Sequence, residues 1–183
     1  MNRYIIMTVG KTHSGKTTFA NELEKKLVNA VVIDQDSHAE FLQLQYPRLV
    51  PSDGPNLLKY ALTRAVVDYA VNETDCHLIL SNSNLKMNSR RALLEEFHSK
   101  GFTSILVHLN IPDSVLRERV AASTRSTNIL RTAASFKEVL DGQQTEAIAL
   151  SESEADVLIT IIQTDETANA IRRVVEIVKG EEE

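Results

Sequence analysis

Five short apolar runs rich in β-branched residues punctuate this chain: YIIMTV at 4–9, AVVI at 30–33, HLIL at 77–80, SILVHL at 104–109 and DVLITII at 156–162. Each has the length of a strand and is nearly continuous in apolar character, as expected of strands covered on both faces. Between them the apolar residues shift to helical spacing, as at Phe19, Leu23 and Leu27, or at Leu93, Leu94 and Phe97 ahead of Gly101. A glycine just past the last helical residue is a common helix stop. Because parallel neighbours need crossover connections, the alternation predicts a three-layer α/β/α fold around a largely parallel sheet, with ligands at the carboxyl ends of the strands. Pro47 to Pro55 reads as a loop bordering the pocket and leading into a helix from about Asn56 to Val71.

The chain has only six glycines in 183 residues, yet Gly10 and Gly15 stand five apart directly after the first run, with Lys16 and Thr17 behind them. GKTHSGKT matches the phosphate-binding loop G-x-x-x-x-G-K-[ST]. Such a loop must turn successive N–H groups inward, which glycine permits, and the helix that follows adds its positive end. Gly10, Lys11, Thr12, His13, Ser14, Gly15, Lys16, Thr17 and Thr18 are therefore the candidate nucleotide cradle. Lys16 is suited to bridge the β and γ phosphates, and the Thr17 hydroxyl to sit on Mg²⁺, which favours oxygen. His13 occupies a free position of the pattern and reads as a surface histidine.

Composition narrows the partners. With 43% hydrophobic and 25% charged residues the chain is expected to form one globular domain over 1–183. A net charge of −5 speaks against a protein held mainly by nucleic-acid phosphates. The single cysteine, Cys76, precludes an internal disulfide and a cysteine-based metal cluster, and suggests a reducing, cytoplasmic setting. The first apolar run is too short for a secretory core, and no window approaches a transmembrane span. The terminal Glu181-Glu182-Glu183 reads as a solvated tail.

Other polar residues cluster at strand ends. Asp34 and Asp36, two apart after the second run, would share one side of an extended chain, although an acidic turn is the plainer alternative. Ser81-Asn82-Ser83-Asn84 follows the third run and reads equally as a pocket edge or as a turn capping a helix that begins near Ser89. After the fourth run, Pro112 and Asp113 mark a helix start, and Arg117, Arg119 and Arg125 follow, Arg117 best explained as the wet face of that helix. His77, His98 and His108 have no metal-site spacing and read as surface positions.

With GKTHSGKT and its helix TFANELEKKL, then VVIDQD, LILSNSNLKMNSRR and LRERVAASTR, the chain resembles the small P-loop kinases related to polynucleotide 5′-hydroxyl, gluconate and shikimate kinases, an AAA-type P-loop kinase domain. The resemblance implies a five-stranded parallel sheet in the order 2-3-1-4-5, a mobile lid over about 117–135, and an acceptor site opposite ATP. It implies Asp34 in the Mg²⁺ shell, Asp36 as base or orienting group for the acceptor hydroxyl, and Arg119 and Arg125 as lid arginines on the γ-phosphate, with Arg131 left open. Two departures stand out. Asn82 occupies a place where such proteins carry an acid, and Ala39 one where polynucleotide kinases carry an arginine. The expected activity is ATP- and Mg²⁺-dependent transfer of the γ-phosphate to a small hydroxylated molecule. A decayed ATP-binding module and a 5′-hydroxyl nucleic-acid kinase are the alternatives.

Overall fold

The computed structural model describes residues 2–131, 133–144 and 150–180. The apolar runs become β1 (Arg3–Val9), β2 (Ala30–Ile33), β3 (His77–Leu80), β4 (Phe102–Leu109) and β5 (Val157–Ile161). All pairings are parallel and the order is β2-β3-β1-β4-β5, the expected sheet. Register sets Ile6 opposite both Ile79 and Ile105, so the central strand is flanked by apolar neighbours on either side.

Strand alternation divides the core between two faces. Ile6, Ile79, Ile105 and Val107 pack with Phe19 and Leu23 of α1 (Lys16–Glu24) and with Val174 of α7 (Thr167–Lys179). On the other face Ile5, Met7, Leu78 and Leu80 meet Val67 of α3 (Leu57–Glu73) and Leu94 and Phe97 of α4 (Met87–Ser99). Fully burying side chains such as Phe19 and Leu23 contributes about 1.5–3 kcal/mol each. The remaining helices, α2 (Gln35–Gln45), α5 (Asp113–Ala121) and α6 (Phe136–Gln144), border the carboxyl ends of the strands.

Several expectations need revision. The 47–55 loop contains a single 3₁₀ turn, Pro47–Leu49. Asp34 and Asp36 are not side by side on extended chain: β2 ends at Ile33, and Asp34 is the N-cap of α2, its carboxylate accepting the Asp36 N–H at 2.8 Å. The 81–84 stretch does not cap α4, whose N-cap is Lys86 without a side-chain bond. His77 is buried, its Nδ1 accepting the Tyr4 N–H at 3.1 Å, and His108 is half-buried rather than on the surface. The acidic run 181–183 lies outside the described residues, as do parts of the expected single domain and residue 132 of the expected lid.

No helix among the described residues is long and apolar enough to cross a membrane.

Candidate functional site

The segment between β1 and α1 has the shape its glycines predict. A Cβ on Gly10 would come within 2.7 Å of Ser14 Oγ and 2.9 Å of the Leu109 carbonyl, so only glycine fits against β4. Gly15 is left-handed at φ 102° and stands as the N-cap of α1. His13 shares that region at φ 59°, folding the loop back on itself. α1 has no side-chain cap, whereas Asp34 and Asn56 cap α2 and α3, so its first-turn amides face the cavity uncapped. An uncapped N-terminus behind a left-handed turn is a ready anion seat.

Lys16 lies back across the loop, its ammonium donating to the Lys11 carbonyl at 2.7 Å and reaching Ser14 Oγ at 3.5 Å. Withdrawal from water holds the ammonium down to about 8, against an ordinary 10.5; the Asp36 carboxylate pulls the other way and Arg125 adds to the lowering. Phosphate oxygens beside it would restore the charged form. Binding AMPPNP without added metal at pH 9, where the nucleotide's terminal phosphate is already ionised, is therefore expected to take up most of one proton. Calorimetry in buffers of different ionisation enthalpy reads this directly, and equal heats in all buffers at pH 9 would contradict it.

Asp34, Thr17 and Ser81 form an oxygen cluster at the foot of α1. The Thr17 hydroxyl donates to Asp34 Oδ2 at 3.3 Å, and the Ser81 hydroxyl donates to Thr17 Oγ1 at 3.5 Å. Burial pushes the Asp34 carboxyl up, opposed by its bonds to Asp36 and Thr17. One carboxylate and two hydroxyls suit Mg²⁺ of the kind held chiefly by phosphates and water. No cluster of three or more acidic, histidine or cysteine side chains stands ready for a metal among the described residues, so these groups could hold the ion only together with nucleotide. Asn82 Oδ1 accepts the Gln35 N–H at 3.2 Å, which ties the end of β3 to α2 and gives this residue a structural use.

The arginines divide. Arg117 is exposed and bonds Asp141 and Gln144, as the wet-face reading holds. Arg119 donates to the His13 carbonyl at 3.0 Å and to Thr164, tying α5 to the glycine loop. Arg125 forms an ion pair with Asp36 at 3.0 Å while its guanidinium lies 5.3 Å from the Phe136 ring centre. Arg131 donates to Gln43 Oε1 at 2.9 Å. His13 departs from the surface reading: it is half-buried, packs edge-on against Phe136 at 5.0 Å, and has a buried Nε2 without a hydrogen-bond partner. Burial, Arg125, Lys16 and Arg119 all lower its pKa, so the ring is neutral.

Gly15, Lys16, Thr17, Asp36, Arg119 and Arg125 line one cavity of about 830 Å³. Gly10, Lys11 and Asp34 do not line it; Lys11 is paired with Asp113 at 2.7 Å. Sequence reasoning missed Gln143, whose side chain accepts the Thr12 N–H at 2.7 Å, along with Phe136 and the wall formed by Asn56, Lys59 and Tyr60. The expected loop at 47–55 pointed toward that wall; nothing near Gln143 marks it as a loop partner.

A model of the AAA domain family matches residues 5–145. Among curated proteins none matches. Solved structures align along nearly the whole chain. A Chloroflexus aurantiacus protein provisionally named a kinase has a TM-score of 0.69 at 16% identity, with 100% of both chains covered. An APS kinase from Mycobacterium tuberculosis in complex with AMPPNP and APS gives 0.60 at 16%, covering 97% of this chain and 98% of that one. Kti12 from Chaetomium thermophilum in complex with ADP-AlF3 gives 0.64 at 14%, covering 93% and 96%. At such identities the likeness speaks for the fold.

Proposed function

The chain belongs to the AAA domain family and has the fold of the small P-loop kinases, and from that premise we propose that it transfers the γ-phosphoryl group of ATP to a hydroxyl of a small-molecule acceptor. The observation that carries the reading is the shared cavity: the uncapped α1 N-terminus behind Gly15 and the Asp36 carboxylate open into one space.

In this reading the amides around Gly15 and the Lys16 ammonium bind the β and γ phosphates. Thr17 and Asp34 would hold Mg²⁺, which would supply charge neutralisation to the phosphates. Arg125 leaves Asp36 for the γ-phosphoryl oxygens, where Arg119 joins it, and the two guanidinium groups meet the charge that spreads in the transition state. Segment 117–135 serves as the lid. Asp36, thus released, orients the acceptor hydroxyl and takes its proton as the acceptor oxygen bonds to the γ-phosphorus and the bond to the β–γ bridging oxygen breaks, leaving ADP.

The test is incubation with labelled ATP and a pooled set of hydroxylated metabolites. A phosphorylated product together with ADP is expected, and ADP that never forms with any acceptor defeats the reading. Asp36→Asn is expected to lower turnover by about 10²–10⁴-fold, the usual range for a positioned proton acceptor. AMPPNP should still bind this variant, since Asp36 makes no phosphate contact in this scheme; lost nucleotide binding would contradict the role assigned to it.

One observation favours a second reading, a nucleotide-binding module without turnover. Asn82 supplies a neutral oxygen already engaged by the Gln35 amide, so metal binding rests on a single carboxylate. Tight Mg·AMPPNP binding with no phosphate transfer, unchanged in Asn82→Asp, would support it.

A further inference from the structure

Among the described residues, the charged side chains that line the cavity are Lys16, Asp36, Lys59, Arg119, Arg125 and Arg131. A single carboxylate among the described residues thus faces five cations, in a chain whose net charge is −5. That carboxylate is already paired with Arg125. Lys16, Arg119 and Arg125 belong to the glycine loop and the segment folded against it, and a triphosphate accounts for them. Lys59 and Arg131 belong to other walls and are not so explained.

Lys59 lies in the first turn of α3, half-buried, with its ammonium 4.8 Å from the centre of the Tyr60 ring. Among the described residues no carboxylate comes within ion-pair distance of it or of Arg131. Arg131 is held by the neutral Gln43 side chain, and its buried Nε has no hydrogen-bond partner. An orphaned N–H on a planar guanidinium is suited to an oxyanion, which accepts charge-assisted hydrogen bonds from such a group. Pairing a second charge with the Lys59 ammonium leaves neither cation uncompensated.

We propose that the acceptor carries an anionic oxygen group, besides the hydroxyl that is phosphorylated, and that Lys59 and Arg131 hold it. The proposal rests on the kinase reading above. It also fixes a scale: Gln43, which positions Arg131, lies seven residues beyond Asp36 on α2, roughly 10 Å along the helix axis. The anionic group therefore sits farther along α2 than the hydroxyl. Ala39, one turn beyond Asp36, leaves the space between them open.

The test uses protein saturated with AMPPNP and Mg²⁺, whose binding is checked first in every variant. Three pools of small hydroxyl compounds matched in carbon number are added: neutral polyols, hydroxycarboxylates and phosphate monoesters. The thermal midpoint is expected to rise with one of the anionic pools and not with the polyols. That rise should fall by more than half in Lys59→Gln and in Arg131→Gln. The pool that responds tells a carboxylate from a phosphate ester. An equal rise with the polyols, a rise that survives both substitutions, or a flat response to both anionic pools overturns the proposal. Since AMPPNP binding is read separately, these outcomes stay distinct from failure of the nucleotide reading itself.

Discussion

Lys16→Met should lower phosphoryl transfer by about 10²–10³-fold, the loss expected when one preorganised donor to developing charge is removed, while the empty protein keeps its fold. The two halves follow from the same geometry. In the empty loop the ammonium is satisfied by the Lys11 carbonyl and Ser14, but withdrawal from water already lowers its pKa. Its charged form gains little there, so methionine of similar length costs the empty fold almost nothing. With phosphates present the balance inverts, because the ammonium then meets negative oxygens in a water-poor site. Steady-state kinetics and thermal melts of the same preparation check both halves. A variant that transfers phosphate at the parental rate would contradict the role given to Lys16.

The largest stability effect should come from Glu154→Ala, a residue outside the cavity. Glu154 and Arg90 form an ion pair with both side chains 0% exposed. Arg90 also donates to the carbonyls of Asn84 at 2.7 Å and Leu85 at 3.1 Å. Removing the carboxylate takes from a buried guanidinium the ion-pair partner that it meets through both its Nε and its second terminal nitrogen, a change that costs about 3–5 kcal/mol. At roughly 2–4 °C per kcal/mol for a chain of this size, the midpoint should fall by about 6–20 °C. Arg90→Met combined with Glu154→Leu should cost markedly less, since both members of this buried pair are then replaced together. The effect should also reach the site. Asn84 adjoins Ser83, whose carbonyl accepts the Gly10 N–H at 3.0 Å, so loosening this turn should weaken AMPPNP binding. A single-variant midpoint within 2 °C of the parent would contradict this picture, taking roughly 2 °C as the shift of under 1 kcal/mol.

Much of this architecture could be read from sequence because its strongest signals are local. The five strands are continuous apolar runs, and parallel strands buried on both faces carry that signature whatever surrounds them. GKTHSGKT was legible for a related reason: Gly10 has no room for a Cβ and Gly15 needs a left-handed backbone, so chemistry and geometry select the same residues. Asp34 misled because one residue decides whether chain continues as strand or turns into a helix, and an N-capping aspartate looks like any acid at a strand end.

Long-range pairings were illegible. Arg125 meets Asp36 across 89 positions, Gln143 meets Thr12 across 131, and Arg90 meets Glu154 across 64. None of these has a sequence signature, since each pairing depends on where separate elements are brought together by the sheet. His13 shows the same limit: its ring is drawn against Phe136, a contact across the fold that loop spacing does not encode.

The most direct measurement is a crystal structure with AMPPNP and Mg²⁺. The β and γ phosphates should lie on the amides around Gly15 with the Lys16 ammonium between them, and Arg125 should have left Asp36. Nucleotide bound elsewhere on the protein, or a glycine loop without phosphate at saturating AMPPNP, would contradict the account.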